Sequence, residues 1–291
     1  MGIKIILLII FFAVMAAVGI YSRRHVTSVD GFVLGGRSVG PWLTAFAFGT
    51  SYFSAVVFVG YAGQFGWKYG IASTWIGIGN ALIGSLLAWV VLGRRTKVMT
   101  QHLGSRTMPD FFGERYKSKS LKITASVIVF VFLIPYTASV YNGLSRLFAM
   151  AFNIPYTWCV VTMAAFTALY VILGGYMATA INDFIQGIIM LIGIVAVIAA
   201  VLNGQGGFMN AIAEMAKIPS DVPLTQGQPG AFTSFFGPDP LNLLGVVLLT
   251  SLGTWGLPQM IGKFYAIKDE KSISTGTIIS TIYAIIISGG C

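Results

Sequence analysis

Hydrophobic residues in this chain occur in eight long runs that are separated by polar or charged segments. An α-helix needs about 20 apolar residues to cross a hydrocarbon core that is about 30 Å thick. Most of the runs reach that length, so the pattern predicts an all-α polytopic membrane protein. The predicted spans cover approximately residues 3–21, 40–66, 71–92, 123–150, 156–173, 177–202, 241–266 and 273–291.

The second span, residues 40–66, contains no charged residue, but its centre is poorly suited to a helix. As one straight helix it would be about 40 Å long, which exceeds the apolar thickness of a bilayer. The small residues near its middle are Gly49, Thr50, Ser51 and Ser54. Glycine weakens a helix, and hydroxyl groups compete for backbone hydrogen bonds. Two interpretations follow: a helix broken at the midplane, whose free carbonyls attract a cation, or a long tilted helix that uses small residues for packing.

The seventh span is also interrupted, at residues 253–258. Spans two and seven lie five spans apart, so they cross the membrane in opposite directions. Paired interrupted helices at matching positions are typical of inverted repeats with a binding site near the midplane. The sequence therefore predicts an inverted five-helix repeat (LeuT-like) architecture with an extra N-terminal helix. Chance spacing is the alternative, because Gly and Pro are common in membrane helices.

Four regions follow from this architecture. They are the N-terminal transmembrane helix with the first cytoplasmic loop (1–39), the first inverted repeat of spans two to six (40–202), an extracytoplasmic loop (203–240) and the start of the second repeat with spans seven and eight (241–291). A complete second repeat needs spans seven to eleven, so we expect the second repeat to be incomplete and the chain to be truncated. Arg23 and Arg24 follow the first span directly, which favours a retained helix over a cleaved signal peptide.

Composition and charge support a membrane protein and set its orientation. The chain has 291 residues, of which 56% are hydrophobic and 9% are charged, which excludes an ordinary soluble domain. The net charge of +9 could suggest nucleic acid, but the basic residues cluster in loops between spans. With the N-terminus outside, fourteen of the 18 Lys and Arg residues lie on the cytoplasmic side. The positive-inside rule therefore predicts a plasma-membrane protein with its N-terminus outside. We expect the lipid bilayer as a partner and no nucleic acid.

Catalytic and cofactor motifs are absent from the sequence. There is no HExxH, P-loop or CxxC pattern. Cys159 and Cys291 form no metal-ligand or disulfide pattern. We therefore expect neither an enzyme nor a bound cofactor.

Four segments carry a family resemblance that extends over essentially the whole chain. They are LGGRSVGP at residues 34–41, GTSYFSA at 49–55, GGYMATAINDFIQ at 174–186 and GLPQMIGKF at 256–264. Together they resemble the sodium:solute symporter family, particularly its proline and pantothenate branch. The resemblance implies a sodium-coupled secondary active transporter, or symporter, that moves a small organic solute by alternating access. The solute would be an amino acid or carboxylate such as proline or pantothenate. Sodium would be the coupling ion, and no other metal is expected.

The resemblance also implies roles for individual residues. Thr50 and Phe53 would offer backbone carbonyls to sodium, and Ser54 and Gln259 match positions near the substrate. The proline transporters carry an aspartate where this chain has Tyr52, which argues against proline itself.

Two further positions match residues that the family links to the coupling ion. Arg37 matches an arginine connected to sodium coupling, and Asp183 matches an acid on the inner ion pathway. From the residues alone, Asp183 could instead cap the sixth helix, and Arg37 could be an ordinary flanking arginine.

Tyr52, Trp255 and Tyr136 complete the set of substrate candidates. Tyr52 and Trp255, with Tyr61 and Asn80, could line a polar cavity, and Tyr136 lies beside Pro135, which is expected to kink the fourth span. Each could equally be a packing residue. Two further functions stay open: a transporter-like membrane sensor or scaffold module, and a fragment that is inactive by itself. Whether the ion is sodium or a proton is not fixed by these residues.

Overall fold

A computed structural model describes residues 2–54 and 61–290. The secondary structure of these residues is helical, which confirms the all-α prediction. The α-helices are α1 Gly2–Ser22, α2 Val29–Leu34, α3 Pro41–Tyr52, α4 Ala62–Tyr69, α5 Thr74–Gly79, α6 Arg94–His102, α7 Met108–Tyr116, α8 Lys119–Phe152, α9 Tyr156–Gly204, α10 Phe208–Lys217, α11 Pro240–Leu252, α12 Pro258–Ala266 and α13 Glu270–Gly290.

Within the described ranges, five helical stretches are long and apolar enough to cross a membrane. A sixth arises when α11 and α12, which are bent by 51° at their junction, are counted as one broken span. The break therefore falls where the sequence predicts it. The Ala62–His102 stretch continues from α5 to α6 through the π-helical segments Asn80–Leu87 and Trp89–Gly93. The helix therefore extends beyond the predicted third span, since α6 carries it on to His102.

Helix α9 contains the predicted boundary between spans five and six. Its 49 residues would form a rod about 74 Å long, more than twice the apolar thickness of a bilayer. Gly175 interrupts it with φ 55° and ψ −147°, a conformation that other residues rarely adopt. A Cβ atom at this position would lie 2.8 Å from the carbonyl oxygen of Phe32. The glycine therefore permits both the break and the close approach of α2.

Helix α3 corrects the prediction for the second span. Pro41 occupies its first turn, where proline is favoured, and the helix continues through Gly49 to end at Phe53 with φ −90° and ψ 57°. The prediction that the break begins at Gly49 is wrong. Gly49 instead allows close packing, because an added Cβ would lie 2.4 Å from Cδ1 of Tyr283 on α13. The part of the predicted span at 55–60 lies outside the described residues.

Aromatic side chains join the two interrupted helices in the core. The ring centroids of Phe48 and Trp89 are 5.5 Å apart, and those of Trp89 and Phe264 are 5.0 Å apart. Phe46 packs against Tyr283 with a centroid distance of 5.2 Å. Helix α3 thereby contacts both α12 and α13, so the end of α3 is fixed beside the second interrupted helix.

The two polar connections also have local structure. Helix α7 has the predicted bounds 108–116, and the Thr107 hydroxyl caps it by accepting a hydrogen bond from the Asp110 N–H at 3.2 Å. The 203–240 region, which the sequence predicts as a loop, contains α10. Farther along this region, the Phe235 carbonyl accepts a hydrogen bond from the Trp75 indole at 2.9 Å. This region therefore covers the end of the bundle opposite α6.

Candidate functional site

A cavity lies between the end of α3, helices α4 and α5, and α11. Its volume is about 140 Å³. A cavity of about 150 Å³ is large enough to hold a benzene molecule, so this one can hold a small organic solute. Its lining residues are Tyr52, Phe53, Tyr61, Ala62, Phe65, Ser73, Ile76, Gly77, Asn80, Thr250, Thr254 and Ser288.

Tyr52 connects the two predicted repeats at the wall of this cavity. Its hydroxyl lies 3.1 Å from Asn80 Oδ1 and 3.0 Å from the Thr250 carbonyl oxygen, so it can donate to either acceptor. The Ser251 hydroxyl also donates to Asn80 Oδ1, at 3.3 Å. Gly84 leaves the space for the phenol, because a Cβ there would lie 1.9 Å from the Tyr52 oxygen. The phenol is therefore held in one position by contacts from two helical segments, Asn80–Leu87 and α11.

The described part of the cavity lining is uncharged and rich in aromatic residues. It contains four aromatic rings, those of Tyr52, Phe53, Tyr61 and Phe65. Tyr61 and Asn80 are among the residues that the sequence suggested for a polar cavity. Ser288 was missed, because α13 approaches the site only through tertiary packing. Its hydroxyl oxygen is buried and has no hydrogen-bond partner among the described residues.

The sodium candidates lie at the carboxyl end of α3. The Thr50 hydroxyl donates to the Phe46 carbonyl at 2.9 Å, so its proton forms a hydrogen bond within the helix. The Phe53 side chain is buried in the core. The last carbonyls of a helix lack intrahelical partners and carry the negative end of the helix dipole. This end of α3 can therefore offer carbonyl oxygens to a cation.

The other substrate candidates are spread over the structure. Ser54 follows the end of α3 but does not line the cavity. The Trp255 indole donates to the Ile83 carbonyl at 3.1 Å, and its ring packs against the core. Both polar atoms of the Gln259 amide are buried, with no partner among the described residues. Tyr136 lines a separate apolar groove beside α8 and Pro258. Of the five candidates, the structure places Tyr52 alone at the cavity within the described ranges.

Asp183 forms a largely buried ion pair with Lys263. The Lys263 Nζ lies 3.2 Å from Asp183 Oδ2, and the two side chains are 8% and 23% exposed. The aromatic ring of Tyr176 lies 5.4 Å from the same ammonium. Asp183 is eight residues beyond the break at Gly175, so the alternative that it caps a helix is wrong. Lys263 lies within α12, so the pair ties this helix to α9.

Arg37 closes the end of the bundle that carries most basic residues. With φ 54° it has a left-handed backbone, and its guanidinium donates to the Ser105 carbonyl at 2.6 Å. It also lies 3.4 Å from both the hydroxyl and the carbonyl oxygen of Thr100. Arg37 is therefore a cross-link between the start of α3 and the end of α6, not merely a flanking charge.

The backbone completes this closure. The Val39 N–H donates to the Ala266 carbonyl at 3.3 Å, and the Lys268 N–H donates to the Val39 carbonyl at 2.9 Å. The buried Lys97 ammonium donates to the Ile267 carbonyl. We call residues 35–40, 94–106 and 266–270 the basic end. These contacts join the first predicted repeat to the second.

Exposed ion pairs surround the basic end. Arg106 lies 2.6 Å from Asp30, and Arg94 lies 2.6 Å from Glu270. The hydrogen bond from Arg106 holds the pKa of the Asp30 carboxyl below its ordinary value. Both pairs are accessible to water, so each contributes little to stability.

The chain is similar in sequence to curated transport proteins. Sodium/proline symporters of Staphylococcus aureus strains JH9 and COL are each 33% identical to it over 276 residues. The matched region is 92% of this chain and 51% of each relative, so the chain spans about half the length of the curated relatives it matches. These relatives are symporters, in agreement with the absence of catalytic motifs.

A solved structure shows the same fold. It is described as the substrate-bound outward-open state of a Na⁺-coupled sialic acid symporter. It matches 96% of this chain and 58% of its own chain, with a TM-score of 0.72 and 17% identity. The predicted LeuT-like class of membrane fold is thereby confirmed.

The sequence profile of the sodium:solute symporter family matches residues 32–291, which include the cavity, the ion pair and the basic end. This match covers most of the chain and agrees with the sequence relatives. The protein is therefore an integral membrane protein that belongs to the sodium:solute symporter family.

Proposed function

We propose that this chain acts in a sodium-coupled symporter that moves a small organic solute across the plasma membrane. The observation that carries the proposal is the position of the cavity between two interrupted helices, α3 and the α11–α12 pair. Such breaks free backbone groups that bind ions and solutes near the bilayer midplane. Tyr52 lines this cavity and hydrogen-bonds to α11, so solute binding can affect both helices. The solute is an amino acid or a related carboxylate.

Sodium binds at the carboxyl end of α3 in this proposal. The carbonyls of Thr50 and Phe53 are suitably placed because they lie where the helix ends. Asp183 and Arg37 act along the path toward the basic end, which faces the cytoplasm when the N-terminus is outside. The contacts of the basic end close that side. The arrangement fits a state that is accessible from the outside, and alternating access requires these contacts to separate.

The proposal is tested by uptake into proteoliposomes that contain the protein. Labelled proline and pantothenate are supplied in sodium and, separately, in potassium. We expect uptake in sodium to exceed uptake in potassium at least tenfold, and equal uptake in both salts would contradict symport. Sodium-dependent binding without any uptake would instead support the transporter-like sensor or a fragment that does not transport by itself.

Thr50→Ala is expected to change the apparent sodium affinity less than twofold. The substitution keeps the backbone carbonyl and removes a hydroxyl that is already bonded to Phe46. Sodium activation of solute binding is the measurement. If Thr50→Ala abolishes sodium activation, the side chain is a ligand and the assignment to the carbonyl is wrong.

Arg37→Ala is expected to favour opening of the basic end. The substitution removes the hydrogen bonds to Ser105 and Thr100, and charge-assisted bonds contribute about 1.5–3 kcal/mol each. A cysteine introduced at the buried Val39 should then react with a maleimide about tenfold faster than in the parent. Arg94→Ala removes only an exposed pair and is the control. Equal reaction rates in the two variants would show that Arg37 does not hold the end closed.

A further inference from the structure

We propose that the cavity selects a small zwitterion whose cationic end is a methylated ammonium, as in glycine betaine. This inference rests on the proposed function and specifies its solute. It follows from three properties of the cavity lining. The lining contains aromatic rings, two of its hydrogen-bond acceptors already have donors, and two of its groups can still donate.

The aromatic rings can hold a cation without a carboxylate. Tyr52 and Phe53 have centroids 4.8 Å apart, and Tyr61 and Phe65 have centroids 5.5 Å apart. Cations bind to the faces of such rings within about 6 Å, and methylated ammonium groups are recognised in this way. The described lining residues carry no charge. An ammonium here would therefore be held by the rings.

Two hydrogen-bond acceptors of the cavity already have donors within reach. Asn80 Oδ1 is within reach of the hydroxyls of Tyr52 and Ser251, and the Thr250 carbonyl is within reach of Tyr52. A primary or secondary ammonium would bring N–H groups into the cavity, and each one left unpaired is unfavourable. A fully methylated ammonium has no N–H group. It therefore fits these surroundings better than an ordinary amino acid does.

Two groups can donate to the carboxylate of such a solute. The Ser288 hydroxyl is buried without a partner among the described residues. Within the described part of the chain, both hydrogen bonds to the Asn80 side chain end on its oxygen, so its N–H₂ group can donate to a further acceptor. A buried polar group without a partner calls for an explanation, and a bound carboxylate provides one.

The size of the cavity is consistent with a small zwitterion of this kind. Its volume of about 140 Å³ is close to that of a site that holds benzene, so it suits a solute of about six to eight non-hydrogen atoms. Glycine betaine lies in this range.

The test compares three probes that bind to the protein in lipid nanodiscs containing sodium chloride. Glycine betaine is compared with 3,3-dimethylbutanoate, which has the same shape and carboxylate but carbon in place of the charged nitrogen. It is also compared with glycine, which has an unmethylated ammonium. We expect glycine betaine to bind at least tenfold more tightly than either, as measured by calorimetry. Equal binding of the carbon analogue, or tighter binding of glycine, would overturn the inference.

A substitution locates the effect in the rings. Phe65→Leu keeps apolar contact but removes a ring, so we expect about tenfold weaker binding of glycine betaine and less than twofold change for the carbon analogue. Phe65→Tyr keeps a ring and should retain betaine binding, which shows that the position tolerates substitution. Phe130→Leu removes an exposed ring on α8, far along the chain from the lining residues, and is the matched control. If Phe65→Leu and Phe130→Leu bind glycine betaine equally well, the ring does not hold the cation.

Repeating the titrations in potassium chloride separates this inference from the proposed function. Betaine binding that is equal in sodium and potassium would contradict sodium coupling but support the ligand class. Sodium-stimulated binding of proline, with no betaine binding, would overturn the ligand class and leave symport intact.

Discussion

Replacing Asp183 with asparagine is expected to lower the free energy of unfolding by about 3 kcal/mol, near the lower end of the range for breaking a buried ion pair. The Asp183→Asn substitution leaves the ammonium of Lys263 in surroundings where its side chain is only 8% exposed. The amide oxygen can still accept a hydrogen bond, but it cannot neutralise the charge. Because the pair joins α9 to α12, we also expect the packing of the second interrupted helix to loosen. Thermal unfolding in nanodiscs measures the first effect.

The double variant Asp183→Asn/Lys263→Met tests the cause. It removes the stranded charge, so it should regain at least half of the stability that the single variant loses. Glu270→Gln breaks the exposed pair with Arg94 and should change stability by about 0–1 kcal/mol. A double variant as unstable as Asp183→Asn would show that the loss does not come from the unpaired ammonium. A sodium activation curve unchanged in Asp183→Asn would remove this acid from the ion pathway.

Replacing Gly84 with alanine is expected to weaken solute binding more than tenfold. The added methyl group would lie 1.9 Å from the Tyr52 hydroxyl oxygen, so the phenol must move. Overpacking of this kind costs about 1–3 kcal/mol, and each lost hydrogen bond costs about 1 kcal/mol more. The displaced ring would enter the cavity and release Asn80 and Thr250. The effect therefore combines lower stability with a smaller, rearranged cavity.

Gly245→Ala is the matched control for Gly84→Ala. It also adds a methyl group to a helical glycine, on α11, but no described atom outside its own helix lies within 4 Å of the new Cβ. It should be neutral or slightly stabilising, because alanine favours a helix by about 0.5–1 kcal/mol over glycine. Adding Tyr52→Phe to Gly84→Ala removes the clashing oxygen and should restore part of the stability. If the two glycine variants behave alike, the contact between Gly84 and Tyr52 is not what holds the cavity open.

The basic end and the ion pair suggest how the two repeats are coupled. The Val39–Ala266 and Lys268–Val39 hydrogen bonds join the start of α3 to the end of α12. The Asp183–Lys263 pair joins α12 to α9 one helical turn earlier. Movement of α12 must therefore strain both sets of contacts together. In the proposed mechanism, an ion that binds near Asp183 would therefore affect the closure of the basic end.

The sequence by itself determined the helical class, the approximate positions of the spans and two of the breaks. These features depend on local properties. A run of apolar residues is long enough to cross a bilayer or it is not, and Gly175 or Pro258 interrupts a helix wherever it is placed. Helix α7 could be predicted to the residue because Pro109 marks its first turn. The neighbouring Thr107 is a favoured cap, and no distant contact was needed.

The tertiary structure alone decided which residues meet. Gly49 reads as a helix breaker in the sequence, yet it lies within α3 because Tyr283 packs directly against it. Lys263 reads as a cytoplasmic charge, yet it is buried opposite Asp183, 80 residues earlier in the chain. Ser288 reaches the cavity from a helix that carries no local signal for binding. Propensity and hydropathy act over a few residues, whereas close approach and charge pairing depend on helices that are distant in sequence.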